Sequence, residues 1–165
     1  MPQILRQNPA VATRREIDSA DRMLLDVVQS EGRASLKEIA ARVHLGVSAT
    51  RARLNELVTD GVIRWWTAKV EPERLGFALH AVVRMKVHGA LYDKVSDVLA
   101  REPQIVRCLR VTGEACYIAE ILARDMKDLA RITSELARIG SITTDLVYEV
   151  VADRPVPTGS EASTV

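Results

Sequence analysis

"SLKEIAARVHLGVSATRARLNEL", Ser35 to Leu57, reads as two short amphipathic helices held apart by only three residues, His44-Leu45-Gly46. Ser35 followed three residues later by Glu38 is a capping box, in which each side chain satisfies the other residue's free backbone amide. Leu36, Ile39, Ala40 and Val43 then recur at helical spacing. After the break, Gly46 stands at the start of a further helix whose inward residues are Val47, Leu54, Leu57 and Val58, and Gly61 ends it. Upstream, a helix starting at Asp18 or Ser19 buries Leu24, Leu25, Val27 and Val28, with Gly32 just past its end. Three helices with so tight a turn before the last describe a helix-turn-helix.

With Leu54 inward, steps of about 100° per residue place Ser48, Ala49, Ala52 and Glu56 outward, with Arg53 and Asn55 on the flanks. Small residues at 48, 49 and 52 let a helix approach base edges closely. Arg51, Arg53 and Arg42 are placed to reach phosphates or a guanine edge. Paired amphipathic helices are also ordinary packing, and exposed arginines an ordinary solvated face. The spacing alone leaves both readings open.

From Val62 the period changes. "VIRWWTAKVEP" is β-rich and stopped by Pro72, which predicts a strand or wing leading into a linker. Ala78–Val87 alternates, with Ala81, Val83, Met85 and Val87 on one side and His80, Arg84 and Lys86 on the other. A helix carrying Leu91, Val95, Val98 and Leu99 ends before Pro103. Strands at Ile105–Val111 and Cys116–Leu122 flank a hairpin turn centred on Gly113. A second helix opens at Asp125 and is closed by Gly140, and a last strand runs Ile142–Val151. The order βαββαβ is ferredoxin-like, so the fold class is α+β, a winged helix-turn-helix followed by that domain. Residues 1–15 and 153–165 read as flexible tails, 16–64 as the DNA-binding domain, 65–77 as a linker strand and 78–152 as the βαββαβ domain.

Composition narrows the class. The 165 residues are 47% hydrophobic and 27% charged, an ordinary globular balance, and the net charge of +1 argues against a surface that coats nucleic acid. No apolar run is long enough for a membrane span, and no signal-peptide core is present, so a cytoplasmic location is expected. Two cysteines, Cys108 and Cys116, are too few for a disulfide framework, and their strand positions put Cys116 opposite Val111 rather than Cys108. His44, His80 and His88 are too scattered to form a metal set, so neither metal nor cofactor is expected. Trp65-Trp66 can cover a domain or dimer seam, or stack on bases. Ile105, Val106, Leu109 and Val111 leave apolar residues on both faces of one strand, which a lone sheet exposed to water would not favour.

Several spaced motifs in order resemble the Lrp/AsnC (feast/famine) family of transcriptional regulators. They are Ile17, Asp18, Asp21, Leu24 and Leu25 in the first helix, Gly32-Arg33-Ala34-Ser35 in the turn, and Ile39-Ala40 in the second helix. Leu45, Ser48, Arg53 and Leu57 match the recognition helix, Gly61 and Ile63 follow it, and "VTGEACYIAEILARD" matches the V-x-G-x-x-D-Y hairpin of the family's RAM domain. The resemblance spans roughly residues 16–151. It implies a non-enzymatic regulator that binds a pseudo-palindromic double-stranded DNA operator and forms a dimer, extended to an octamer or another dimer-of-dimers assembly. It also implies that an amino acid or related metabolite is sensed at Gly113, Glu114, Cys116 and Tyr117. Ser48, Ala49, Arg51, Ala52, Arg53, Asn55 and Arg42 are the implied DNA-facing set. Gly46 departs from the family's cap serine, and Cys116 stands where relatives carry an aspartate that holds the ligand's amino group. Either the ligand differs, or Glu114 supplies the carboxylate, or no amino acid binds. Two other readings are a tetrapyrrole-precursor decarboxylase, kept open by His80 and His88, and an effector-independent DNA-architectural protein.

Overall fold

Buried side chains fall into two separate clusters, one centred on Leu24, Ile39, Val43, Leu54 and Leu57, the other on the apolar rows of a β-sheet. A computed structural model describes residues 15–87, 89 and 91–159. Among these residues, Val70–Val151 form one compact unit, and residues 15–69 with 152–159 form the other. Most of the tail expected at 1–15 lies outside the described residues, as does His88.

The helical unit holds α1 (Ser19–Ser30), α2 (Leu36–Arg42) and α3 (Val47–Thr59). Asp18 caps α1 and Ser35 caps α2, each in a reciprocal box with the acid three residues on, Asp21 and Glu38. The break between α2 and α3 is tight because it is itself a helix cap. His44 adopts a left-handed φ of 55°, Leu45 N–H donates to Ala40 C=O at 3.0 Å and His44 N–H to Ala41 C=O at 3.4 Å. This is a Schellman motif with histidine where glycine is usual, and Leu45 follows it into the core. Gly46 then caps α3 with backbone alone. Thr50 is fully buried on α3 and returns its hydroxyl to Gly46 C=O at 3.0 Å, a polar core residue that apolar periodicity could not announce. Val47 and Val58, expected inward, are 43% and 44% exposed. Leu54, Leu57 and Thr50 already fill the inner face of a helix whose opposite side is open.

No strand forms at 62–71 among the described residues, where the β-rich stretch was expected to run as a strand into the linker. The propensity is there, but a strand requires a neighbouring backbone to pair with. A short 3-10 turn, Pro72–Leu75, follows.

The second unit is a four-stranded antiparallel sheet, β1 (Leu79–Val87), β2 (Ile105–Arg110), β3 (Tyr117–Ala123) and β4 (Gly140–Leu146), in the order β2-β3-β1-β4. With α4 (Tyr92–Arg101) and α5 (Met126–Ala137) between strands, this is the βαββαβ ferredoxin-like topology. Ala81, Val83, Met85 and Val87 of β1 and Ala119, Ile121 and Ala123 of β3 point to the helices and are buried. Val82, Ile118 and Leu122 point the other way and are only partly covered, with Leu109 beside them, 38% exposed and paired with Ile118. Cross-strand ion pairs, Arg84–Asp145 at 3.0 Å and Arg107–Glu120 at 3.4 Å, lie among them on that open face.

Gly140 opens β4 and does not close the helix as its position suggested. A Cβ there would stand 2.5 Å from the Lys86 carbonyl oxygen, so only glycine lets β4 pair with the end of β1. Gly140→Ala is expected to lower stability by about 1–3 kcal/mol, the usual cost of overpacking against backbone, read from the midpoint of urea unfolding.

Candidate nucleic-acid interface and effector loop

The outer surface of α3 presents Ser48, Ala49, Arg51, Ala52 and Asn55, all exposed as expected. Val47, Ser48, Arg51, Ala52 and Asn55 line a shallow depression of about 350 Å³ along it. Val47 is the member that periodicity missed, because a β-branched residue in a helix's first turn counts as core in any apolar pattern.

Three arginines near this surface are engaged elsewhere. Arg53 donates to Asp18 at 2.7 Å and to Asp21 at 2.9 Å, so its guanidinium faces α1 and not outward. Asp21 is fully buried, and a carboxylate in that position requires cationic partners to offset its lost hydration. Arg15 supplies a second one, bridging Asp21 to Glu56, so the last residue assigned to the tail is an anchored part of the domain. Glu56, outward on the helix, is thereby neutralised by a partner within the chain. Arg42 pairs with Glu31 across the turn before α2. Of the arginines expected to face DNA, Arg53 and Arg42 are held in intrachain ion pairs, the Arg42–Glu31 pair lying at the surface, and Arg51 is exposed on α3.

The hairpin between β2 and β3 carries the second set. Gly113 has a φ of +117°, which only glycine adopts readily, and Val111 N–H closes the hairpin on Cys116 C=O at 3.0 Å. Cys116 therefore faces Val111, while Cys108 pairs with Ala119, and both thiols are free. The Cys116 Sγ lies 3.6 Å from the Tyr92 hydroxyl. Arg110 places its guanidinium 5.3 Å from the centre of the Tyr92 ring, and Tyr92 and Tyr117 have ring centres 6.4 Å apart. Tyr92 joins the expected Cys116 and Tyr117 only because α4 folds onto the hairpin, which no local spacing encodes, whereas Arg110 is the β2 residue paired with Tyr117 across it. Hydrogen bonding to the Tyr92 phenol, then to the Val87 amide, holds the Cys116 thiol below its usual pKa. Glu114 is exposed at the tip. Among the described residues no group of three His, Cys, Asp or Glu side chains converges on a metal-sized site.

Two outcomes test this placement. Arg53→Ala strands the buried Asp21 with one partner fewer and is expected to cost about 1–3 kcal/mol, whereas Arg51→Ala leaves the melting temperature unchanged. Asp18 is held below the usual carboxylate range, first by the Asp21 amide and then by Arg53. Its contribution is therefore present above the unfolded pKa and lost as pH falls through the folded one. Acid titration monitored by circular dichroism should show Asp18→Asn with a weaker loss of stability than wild type at the acidic end.

Comparison with known proteins agrees with this architecture. The model of the Lrp/AsnC ligand binding domain matches residues 80–157, and that of a winged helix-turn-helix DNA-binding domain matches residues 17–64. The HTH-type transcriptional regulator FL11 of Pyrococcus abyssi is 33% identical over 129 residues, covering 78% of this chain and 83% of its own. FL11 of Pyrococcus horikoshii is 32% identical over 78% and 83% of the two chains. The structure of Bacillus subtilis LrpC superposes with a TM-score of 0.81 at 21% identity, covering 85% of this chain and 100% of that one. No helix among the described residues is long and apolar enough to cross a membrane. With both halves matched in order and relatives at this identity over most of their length, the chain belongs to the Lrp/AsnC family of helix-turn-helix transcriptional regulators, a non-enzymatic family.

Proposed function

We propose that this regulator reads a pseudo-palindromic operator with the Ser48–Asn55 face of α3, using Arg51 as its principal charged contact. The observation that carries the reading is the division of labour among the arginines. Arg53, Arg42 and Arg15 are held in intrachain pairs, and Arg51 stands exposed beside a strip of small side chains. Small residues bring the helix close to base edges, while a single exposed guanidinium supplies a phosphate contact or a bidentate guanine contact. Asn55, one turn further on, is suited to an adenine edge. In a mobility-shift assay Arg51→Ala should weaken binding. A phosphate contact would lower the salt slope by about one for every sequence, and a guanine contact would cost about 1–3 kcal/mol at one base pair. Unchanged affinity at all salt concentrations would reject Arg51. A footprint that spreads without discrete sites would favour the architectural reading instead.

Two recognition helices require a dimer, and the open face of the sheet suits one. Val82, Ile118, Leu122 and Leu109 give it an apolar centre. An isologous dimer across this face places the half-sites about one helical turn or a multiple apart. Light scattering should report a dimer or a multiple of it, and Ile118→Asp should shift it toward monomer.

For the effector, the hairpin offers cations and phenols where relatives offer a carboxylate. Arg110 favours a ligand carboxylate, whereas the Cys116 thiol gives an ammonium group no charge-assisted partner. The expected ligand is a small carboxylate in which the amino group contributes little. Calorimetry against the twenty amino acids and the matching 2-oxo acids should show weak amino-acid binding to wild type and a gain for Cys116→Asp. Tight amino-acid binding that survives Glu114→Gln would overturn this account of the loop.

A further inference from the structure

Residues 153–165 read in sequence as a free tail, because Pro, Gly, Ser and Thr crowd them and no apolar period survives. Among the described residues of that stretch, Val156 and Thr158 are held against α1. Arg22, Asp26 and Gln29, spaced at i, i+4 and i+7, form one stripe on that helix. The Gln29 side-chain amide grips the main chain of Val156 from both sides: Nε2 donates to Val156 C=O at 3.1 Å, and Oε1 accepts from Val156 N–H at 2.9 Å. Thr158 Oγ1 donates to Asp26 Oδ1 at 2.6 Å, and Arg22 donates to the Thr158 carbonyl. Lys69 and Asp153 add an exposed ion pair at 2.7 Å.

The composition that suggested disorder explains the grip. Val156 lies between Pro155 and Pro157, whose rings fix their own φ and push the preceding residues toward extended backbone. The segment is therefore stiffened before it docks and loses little conformational freedom on docking. Neither proline carries an N–H, so the amide of Val156 is the one donor in the triplet, and Gln29 takes it. Apolar burial plays almost no part, since the Val156 side chain remains 74% exposed. Gly159 follows at a φ of +71°, where a Cβ would come within 3.3 Å of the Arg22 guanidinium.

We propose that Asp153–Gly159 is a strap and that the Arg22-Asp26-Gln29 stripe is its docking surface, specific for a pre-extended Pro-x-Pro segment of this same chain. The chain leaves the DNA-binding unit at Lys69–Val70 and returns to it at Val151–Ala152, so the strap gives that unit a second attachment to the rest of the protein. The second attachment restrains how far the unit can move on its connection. Restraint keeps two recognition helices near the spacing of two half-sites, which raises their effective concentration for each other's DNA.

The chain's two tryptophans, Trp65 and Trp66, both lie in the DNA-binding unit, so their time-resolved anisotropy reports that unit's motion. The exposed Gln29→Leu removes both amide bonds without changing charge, and Pro155→Gly with Pro157→Gly removes the stiffening. Both variants should add a faster rotational component to the decay and lower hydrogen-exchange protection of the Val156 amide roughly tenfold. Gln29→Glu, which keeps the acceptor and loses the donor, should fall between them and wild type. An unprotected Val156 amide in wild type, or identical decays in wild type and Gln29→Leu, would overturn the strap. Protection that rises with protein concentration would also overturn it, because the tail would then come from a second copy. The effect on DNA rests on the function proposed above and is read separately. Gln29→Leu should weaken binding to a paired site several-fold and leave binding to a single half-site unchanged. Failure of wild type to bind either DNA would count against that function, and the anisotropy result would stand.

Discussion

The buried carboxylate of Asp21 is the constraint around which the DNA-binding unit is built. A charge without access to water must be met by cations held in place, and Arg53 from α3 and Arg15 from the approach to α1 meet it. Asp21 also completes the cap of α1 by accepting from the Asp18 amide, so one side chain fixes a helix start and the rotation of the recognition helix. What α3 offers to DNA follows from that rotation. Arg53 is thus tied to α1, and in the reading proposed above its part is to orient α3 rather than to touch the bases.

Much of this was legible in the residues. The Ser35–Glu38 capping box, the tight turn and the βαββαβ order depend on neighbours within a few positions, and short-range chemistry is what a sequence displays. The Arg53 pairing was not legible, because Asp18 and Asp21 lie more than thirty residues upstream and an arginine on a helix flank looks the same whether paired or solvated. The missing strand at 62–71 has a related cause, since Trp65, Trp66 and Val70 carry β propensity but have no ladder partner among the described residues. Tyr92 beside the β2–β3 hairpin escaped notice because α4 reaches it only through the tertiary fold.

Cys116 sets the chemistry of the β2–β3 hairpin. The hairpin turns on Gly113 and carries Tyr117 directly after the cysteine. It places a thiol beside a phenol, with a guanidinium over the same phenol ring. Under the ligand proposed above, recognition of the carboxylate end would then dominate.

If the open face of the sheet is the dimer surface proposed above, it also governs how copies of such chains sort themselves. Four of its charges are already matched in place, Arg84 with Asp145 and Arg107 with Glu120, so they present little unbalanced field to an arriving surface. Discrimination between an identical chain and a paralogue therefore falls to shape, to whether the ridges of Val82, Ile118 and Leu122 find complementary hollows. Fit of that kind is short-ranged and insensitive to ionic strength, unlike selection by charge. A dimer closed across this face would thus hold together across large changes in salt, while a grip on DNA through Arg51 would vary with them.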